Sequence, residues 1–373
     1  MQAKNKKITF GSIVKWFVFS TNIVAILLLF SAFLSWNVSP LRTNLFQFIG
    51  LGFGAILAIN VAYLVLWIIC AKWRLALISL LALVICYKPI LTFFPMNFFP
   101  KDVPENSIKI LSYNVHAFIN DRNSNIATRP ILEYIAGVDA DIIFLQEYFV
   151  SRTGQTAISQ EDVRRVLYRY PYYAITELGG SNAHYIIGLA VFSRFPIEKT
   201  HEIDLGSSFN GAAIHTININ EKRITVANVH LESNRITRAD RQLYADFFQV
   251  DSVRFAMVAE NIRKRLGIAF RTRAQQVAKI RSYIDTQNTD GVIIAGDFND
   301  TPISYTYARM RRGLRDAFTA TGFGPGITYH EDFFLFRIDY ILHCRNFRAY
   351  RTRVDRVYYS DHYPIITHLR FLK

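Results

Sequence analysis

The chain has 373 residues, of which 51% are hydrophobic, 14% aromatic and only 19% charged, with a formal net charge of +14 at pH 7. This composition excludes intrinsic disorder and a collagenous chain, and three cysteines in such a length exclude a disulfide-stapled scaffold. The charge is uneven: residues 1–100 hold eight basic residues and no Asp or Glu, which leaves +6 for the remainder.

That first segment reads as a membrane anchor. A spanning helix needs about 20 mainly apolar residues, and the stretches 16–36, 45–70 and 75–96 meet this requirement. The turns between them are short. Their flanks suggest an orientation, because Lys and Arg concentrate on the cytoplasmic side. Lys4, Lys6, Lys7 and Lys15 precede the first stretch, Lys72 and Arg74 separate the second from the third, and the first turn has only Arg42. Three crossings then place residues 101–373 on the far side, the periplasm of a Gram-negative cell. The expected location is a multi-pass inner (cytoplasmic) membrane protein. Lys88 is the single charged residue within the three stretches, so the segment reads as an anchor and not as a transport path.

After Pro100 the texture changes. Short runs rich in β-branched and aromatic residues alternate with polar, helix-like stretches. Strands are expected at 108–113, 141–146, 189–193, 212–219, 223–230, 291–296, 337–343 and 364–371. Helices are expected at 129–136, 161–168 and 305–312, with a long broken helical region over 238–285. This pattern predicts a layered α/β domain with helices covering its sheets. About 270 residues suffice for a buried core, and Cys344 alone offers neither a disulfide nor a cysteine metal cluster. Residues 232–281 contain eleven Lys or Arg with carboxylates interleaved. A solvated helical face is the expected reading, with a phosphate-binding face or a lid as alternatives.

The polar residues fall in a pattern. Apolar runs end at Asn114, at Glu147, at Asn228 and His230, and at Asp297 and Asn299. Asp339 lies within an expected strand, and Asp361-His362 precedes the last one. Each alone reads as a cap or turn, but six together suggest one polar site at an end of the sheets. Hard oxygen ligands without cysteine favour Mg²⁺ or Mn²⁺ over zinc. Such an ion beside a carboxylate–histidine pair suits phosphoester hydrolysis, since it neutralises charge on phosphoryl oxygens while a base activates water.

The motifs Ser112-Tyr113-Asn114, Leu145-Gln146-Glu147, Asn228-Val229-His230, Gly296-Asp297-Phe298-Asn299-Asp300, Arg337-Ile338-Asp339 and Ser360-Asp361-His362, in this order, resemble the endonuclease/exonuclease/phosphatase (DNase I-like) superfamily. The resemblance covers about residues 106–373. It implies a four-layer α/β/β/α sandwich with two mixed sheets face to face. It implies Glu147 as the principal metal ligand, with Asn114 beside it and Asp361 adding to a metal site. Asp297 and Asn299 would hold the attacking water and the phosphate. His362, oriented by Asp339, would be the general base or the main phosphate contact. His230 would stabilise the transition state. Asn228 and the loop residue His184 are candidate substrate contacts. His116 stands where some relatives have an acidic residue, a departure that weighs against a metal role there.

The expected whole is a three-helix transmembrane anchor (1–100) followed by a catalytic domain (101–373). Its expected activity is divalent-metal-dependent phosphoester hydrolysis at the outer membrane face. The expected partners are a bilayer and a substrate that is a lipid head group, a small phosphorylated molecule or a nucleic acid, with no protein partner implied. A tethered nuclease is the first alternative, and a non-catalytic phospho-ligand module the second.

Overall fold

Strands buried on both faces lose the usual alternation of apolar and polar residues, and the central strands here are nearly continuous apolar runs. The computed structural model describes residues 10–99, 101–119, 129–154, 158–234, 252–331 and 335–372. It divides into a helical unit, Met1–Phe93 with Ile303–Tyr305, and a larger unit made of Phe94–Pro302 and Thr306–Lys373.

The larger unit contains two six-stranded sheets. The first is built from β1 (Ile108–Asn114), β2 (Ile142–Ser151), β3 (Tyr172–Glu177), β4 (Tyr185–Ser193), β11 (Phe347–Val354) and β12 (Ile365–Phe371). Their order is β11-β12-β1-β2-β4-β3. The second has β5 (Ile197–Ile203), β6 (Gly211–Ile219), β7 (Lys222–His230), β8 (Gly291–Asp297), β9 (Arg315–Asp316) and β10 (Asp339–His343), in the order β5-β6-β7-β8-β10-β9. The pairs β1/β2 and β7/β8 are parallel, and the other neighbours are antiparallel.

Side chains alternate across each sheet, so each strand feeds two cores. Ile110, Ile142 and Phe144 face Val226, Ile293, Ala295 and Ile341 across the space between the sheets. Leu111, Tyr113, Ile143 and Leu145 point the other way. There they meet Ile131, Leu132 and Ile135 of α6 (Arg129–Val138) and Val163 of α7 (Gln160–Val166). On the outside of the second sheet, Ala227, Val229, Ile294 and Leu342 meet Val277, Ile280 and Ile284 of α8 (Ser252–Ile284) and Tyr307 and Met310 of α9 (Tyr305–Met310). This is the expected α/β/β/α sandwich.

Four strands escaped the sequence reading. β3, β5 and β11 have exposed outer residues that dilute the apolar signal, and β9 has two residues. The broken helical region is one 33-residue helix, α8, over its described part, while Arg235, Arg238 and Arg241 lie outside the described residues. Its solvated face holds Arg263, Lys264, Arg271 and Lys279, but Arg273 is buried.

In the helical unit, α1 (Phe10–Leu34) is long and apolar enough to cross a membrane, with a mean hydropathy of 2.3. The other two expected spans are bent pairs, α2 (Leu45–Leu51) with α3 (Phe53–Ile69) at 66° and α4 (Trp73–Ile85) with α5 (Tyr87–Phe93) at 67°. The second break has a covalent cause. Pro89 has no N–H for the carbonyl of Ile85, so the helix restarts with Pro89 in its first turn.

Gly296, with φ of 140°, immediately precedes Asp297, and a Cβ there would lie 1.9 Å from the Val229 carbonyl oxygen. Gly296→Ala is expected to cost roughly 3 kcal/mol or more, read as a fall in melting temperature of roughly 10 °C. His215 in β6 is held below its ordinary range, at about 4, by burial. The unfolded chain takes up this proton near pH 6.5 and the folded chain only near 4, so stability falls as pH drops through that window. The loss at its acid end is about 3 kcal/mol. His215→Phe is expected to flatten this part of a melting-temperature profile against pH.

Candidate functional site

Strand direction gathers the polar residues. The parallel pairs β1/β2 and β7/β8 carry Asn114, His230 and Asp297 at the C-terminal ends of their strands, and Glu147, inside β2, follows directly on the last β1/β2 pair, Asn114 with Gln146. β10 runs against β8 and pairs Asp339 with Asp297. β12 runs against β1 and starts beside Ser112, so His362 just before it arrives at the same end.

Asp297 Oδ2 is the centre of the cluster. It accepts from Asn114 Nδ2 at 3.1 Å and from Asn299 Nδ2 at 3.2 Å. His230 Nε2 and His362 Nε2 each stand 3.7 Å from it. Asp297 Oδ1 accepts from the Asn299 backbone N–H at 2.7 Å. Asn114 Nδ2 also donates to Glu147 Oε1 at 3.0 Å, and His230 Nε2 lies 3.6 Å from that oxygen. His362 Nδ1 sits 2.8 Å from Asp339 Oδ2. Asp339 in turn is placed by Thr328 Oγ1, which accepts from the backbone N–H groups of Ile338 and Asp339.

Several of these residues hold a left-handed backbone that side chains avoid. Glu147 has φ of 51° and Asn299 of 52°, and His116, Ala117 and Phe118 follow β1 at 42°, 54° and 57°. Glu147 lies where the pairing of β2 with β4 shifts between Leu145 and Tyr148. Such a bulge re-aims a side chain, and here it brings the Glu147 carboxylate beside Asn114. Non-glycine strain of this kind persists only where its surroundings impose it, and it clusters at functional sites.

The electrostatics follow from crowding. Burial pushes the Asp297 carboxyl up, with Asp339 adding to it against the two histidines, to about 6. Glu147 is opposed by burial, yet His230, His116, Asn114 and His362 hold it below the usual carboxylate range. Burial alone would lower His362, but Asp339 and Asp297 outweigh it and raise the imidazole well above its ordinary value. Three carboxylates share this space, and the buried Asp339 Oδ1 has no hydrogen-bond partner among the described residues. Ligand atoms of Asp297, Asp339 and His362 lie within 4.8 Å of one another. An oxygen-rich, anionic donor set of this kind fits a hard divalent cation.

A model of the endonuclease/exonuclease/phosphatase family matches residues 111–362. The chain belongs to this family. A second family model, described as a domain of unknown function, matches residues 15–93. No curated protein matches. Among solved structures, an endonuclease/exonuclease/phosphatase from Beutenbergia cavernae DSM 12333 is 16% identical with a TM-score of 0.50, covering 72% of each chain. A family protein from Leptotrichia buccalis C-1013-b is 19% identical with a TM-score of 0.49, covering 71% of this chain and 100% of its own. One from Bacteroides vulgatus is 15% identical with a TM-score of 0.47, covering 72% and 100%. At these identities the likeness is one of fold.

Within this endonuclease/exonuclease/phosphatase member, the structure brings together Asn114, Glu147, His230, Asp297, Asn299, Asp339 and His362. Three expected residues stand apart. Asn228 is fully buried, not in a groove, and its amide donates to the carbonyls of Leu145 and Ala190 at 3.0 Å each. Those carbonyls flank the β2 bulge, and Gln146 Nε2 closes the arrangement on Asn228 Oδ1 at 2.7 Å. Asn228 therefore supports the bulge that aims Glu147. Asp361 faces His116 Nδ1 at 3.3 Å and lies outside the converging Asp297–Asp339–His362 group. His184 is exposed before β4, and no hydrogen bond or ion pair joins it to the cluster among the described residues.

Other supporting residues gave no local signal. Asn210 Nδ2 reaches the His230 ring at 3.4 Å and donates to the Leu231 carbonyl. Arg273 spans the loops after β7 and β8, with Nε on Asp300 Oδ2 at 3.2 Å and Nη1 on the Glu232 carbonyl at 2.8 Å. In sequence it is one arginine in a basic helix. Asp339→Asn removes the carboxylate facing His362 Nδ1. The histidine resonances by NMR should then titrate nearer the ordinary range, with turnover falling about 100-fold or more.

Proposed function

We propose that the chain is a divalent-metal-dependent phosphoester hydrolase whose site is the Asn114–Glu147–His230–Asp297–Asp339–His362 cluster. Convergence of Asp297, Asp339 and His362 from separate strand ends carries this reading. Glu147, Asn114 and the free Asp339 Oδ1 are the groups that would hold the ion. A bound divalent ion would supply charge neutralisation at the phosphoryl oxygens.

The residues divide the remaining work by their electrostatics. His362, whose imidazole is pushed upward by Asp339 and Asp297, is suited to donating to a phosphate oxygen. Asp297, with its raised affinity for a proton, is the better base. It takes the proton of a water whose oxygen attacks phosphorus. The bond from phosphorus to the leaving oxygen breaks, and that oxygen is protonated from solvent. Asn299 fixes the Asp297 carboxylate from backbone and side chain, and His230 adds a donor for charge developing on phosphoryl oxygens.

The helical unit is proposed as a membrane anchor of three spans, comprising α1 and the two bent pairs. Its polarity is inverted, which supports this reading. Asn22, Ser35, Gln47, Asn60 and Ser79 are buried, while Val24, Leu27, Ile59, Val65, Ile69, Leu81 and Ile85 are exposed. Trp67 Nε1 and Ser79 Oγ both donate to Asn22 Oδ1, at 2.9 and 3.0 Å. Amide-centred bonds of this type join helices in lipid. By the distribution of Lys and Arg, the catalytic unit is proposed to lie outside the cytoplasm, where tethering favours a phosphorylated lipid or another substrate near the bilayer.

The test is turnover by the full chain in detergent with Mg²⁺ or Mn²⁺ against phospholipids, inositol phosphates, nucleotides and DNA. Hydrolysis of one class, abolished by chelation and in both Glu147→Ala and His362→Ala, is expected. No turnover of any class by folded protein would overturn the reading, and cleavage of DNA alone would make it a tethered nuclease.

A further inference from the structure

The catalytic unit carries an exposed aromatic patch made of residues with no role in the site described above. Residues 94–99 follow α5 directly and read Phe94-Pro95-Met96-Asn97-Phe98-Phe99. They do not form a loose connector. Asn97 Nδ2 donates to the carbonyls of Thr319 at 3.1 Å and Gly322 at 2.8 Å, and Gly324 N–H donates to the Pro95 carbonyl at 2.9 Å. Met96 and Phe323 form an antiparallel bridge. The segment is thus fixed to the turn after α10 (Ala317–Thr321), more than 220 residues away in sequence.

This clamp satisfies the backbone yet leaves the large side chains outside. Phe99 is 89% exposed, Phe98 64%, Phe323 55% and Met96 49%. The Phe323 ring packs on Phe98 with centroids 5.0 Å apart and on Phe94 at 5.8 Å. Fixed phenylalanines clustered on a surface mark an interaction site, because water gives no reason to display them. Aromatic side chains concentrate at membrane–water boundaries. The patch begins at Phe94, the residue after the last apolar helix, and Lys101 closes its far end.

We propose that Phe94, Met96, Phe98, Phe99 and Phe323 form a membrane-contact patch through which the catalytic unit itself rests in the bilayer interface. This rests on the membrane reading of the helical unit and adds to it a second, separate point of contact. Phe323 belongs to the catalytic fold and has no place in the spans, so its immersion is the deciding quantity.

The test uses the full chain with Cys70, Cys86 and Cys344 replaced by Ala, reconstituted in phosphatidylcholine vesicles. Single variants Phe98→Cys, Phe323→Cys and, as an exposed control on β5, Lys199→Cys carry a nitroxide. Power saturation compares collisions with oxygen, which partitions into lipid, and with a polar nickel chelate. At 98 and 323 the oxygen-to-nickel ratio is expected to exceed that at 199 several-fold. Two sites are read independently, so poor folding of one variant leaves the other. A water-like ratio at both sites, in protein that floats with the vesicles, would overturn the patch while leaving the anchor intact. Failure to float would overturn both.

Discussion

The site depends on keeping Asp297 charged or nearly so while it is buried between two sheets. An uncompensated buried carboxylate costs several kcal/mol, and Asp297 has Asp339 for a neighbour. The compensation comes from both sheets: Asn114 and His362 from the first, His230 and Asn299 from the second. Neither sheet alone supplies all of these groups. The cluster therefore requires the two sheets to be packed in one register, and the interior layer of Ile110, Phe144, Val226, Ile293 and Ile341 sets that register.

The local distortions serve the same requirement. Glu147 reaches the cluster only because β2 bulges, and a bulge frees carbonyls that would otherwise be orphaned. Asn228, from the opposite sheet, accepts the task by donating to Leu145 and Ala190. On the other flank, buried Arg273 ties the loops after β7 and β8 together, so His230 and Asp297 emerge from one braced structure. Each brace is a polar group taken from water and repaid by several hydrogen bonds, which makes removal of one partner costly.

The two units follow opposite rules of burial. In the larger unit apolar residues fill three layers and carboxylates gather at one end. In the helical unit several amides and hydroxyls lie inside while many leucines, isoleucines and valines lie outside. One chain thus carries the pattern expected for water and the pattern expected for lipid, with the change falling at residues 94–99.

The sequence by itself determined a good deal. Apolar runs ending in Asn114, Glu147, His230 and Asp297 announced strands whose ends share a site, because a strand buried on both faces is unmistakable in composition. It also determined the apolar N-terminal segment, since twenty residues without charge admit few readings. Strands β3, β5 and β11 were not legible, because half-exposed strands mix polar and apolar residues. The bends at Gly52 and Cys86 were missed because hydropathy averages over them. Only the tertiary structure decided the parts that depend on contacts between distant residues. It showed Asn228, a candidate substrate contact, as the support of a bulge, turned Asp361 toward His116, and buried Arg273 out of an apparently solvated basic face. It also joined Phe323 to Phe98. None of these has a local signature, because the partner that decides each lies from about 30 to more than 240 residues away, and only packing of the two sheets and their covering helices brings it near.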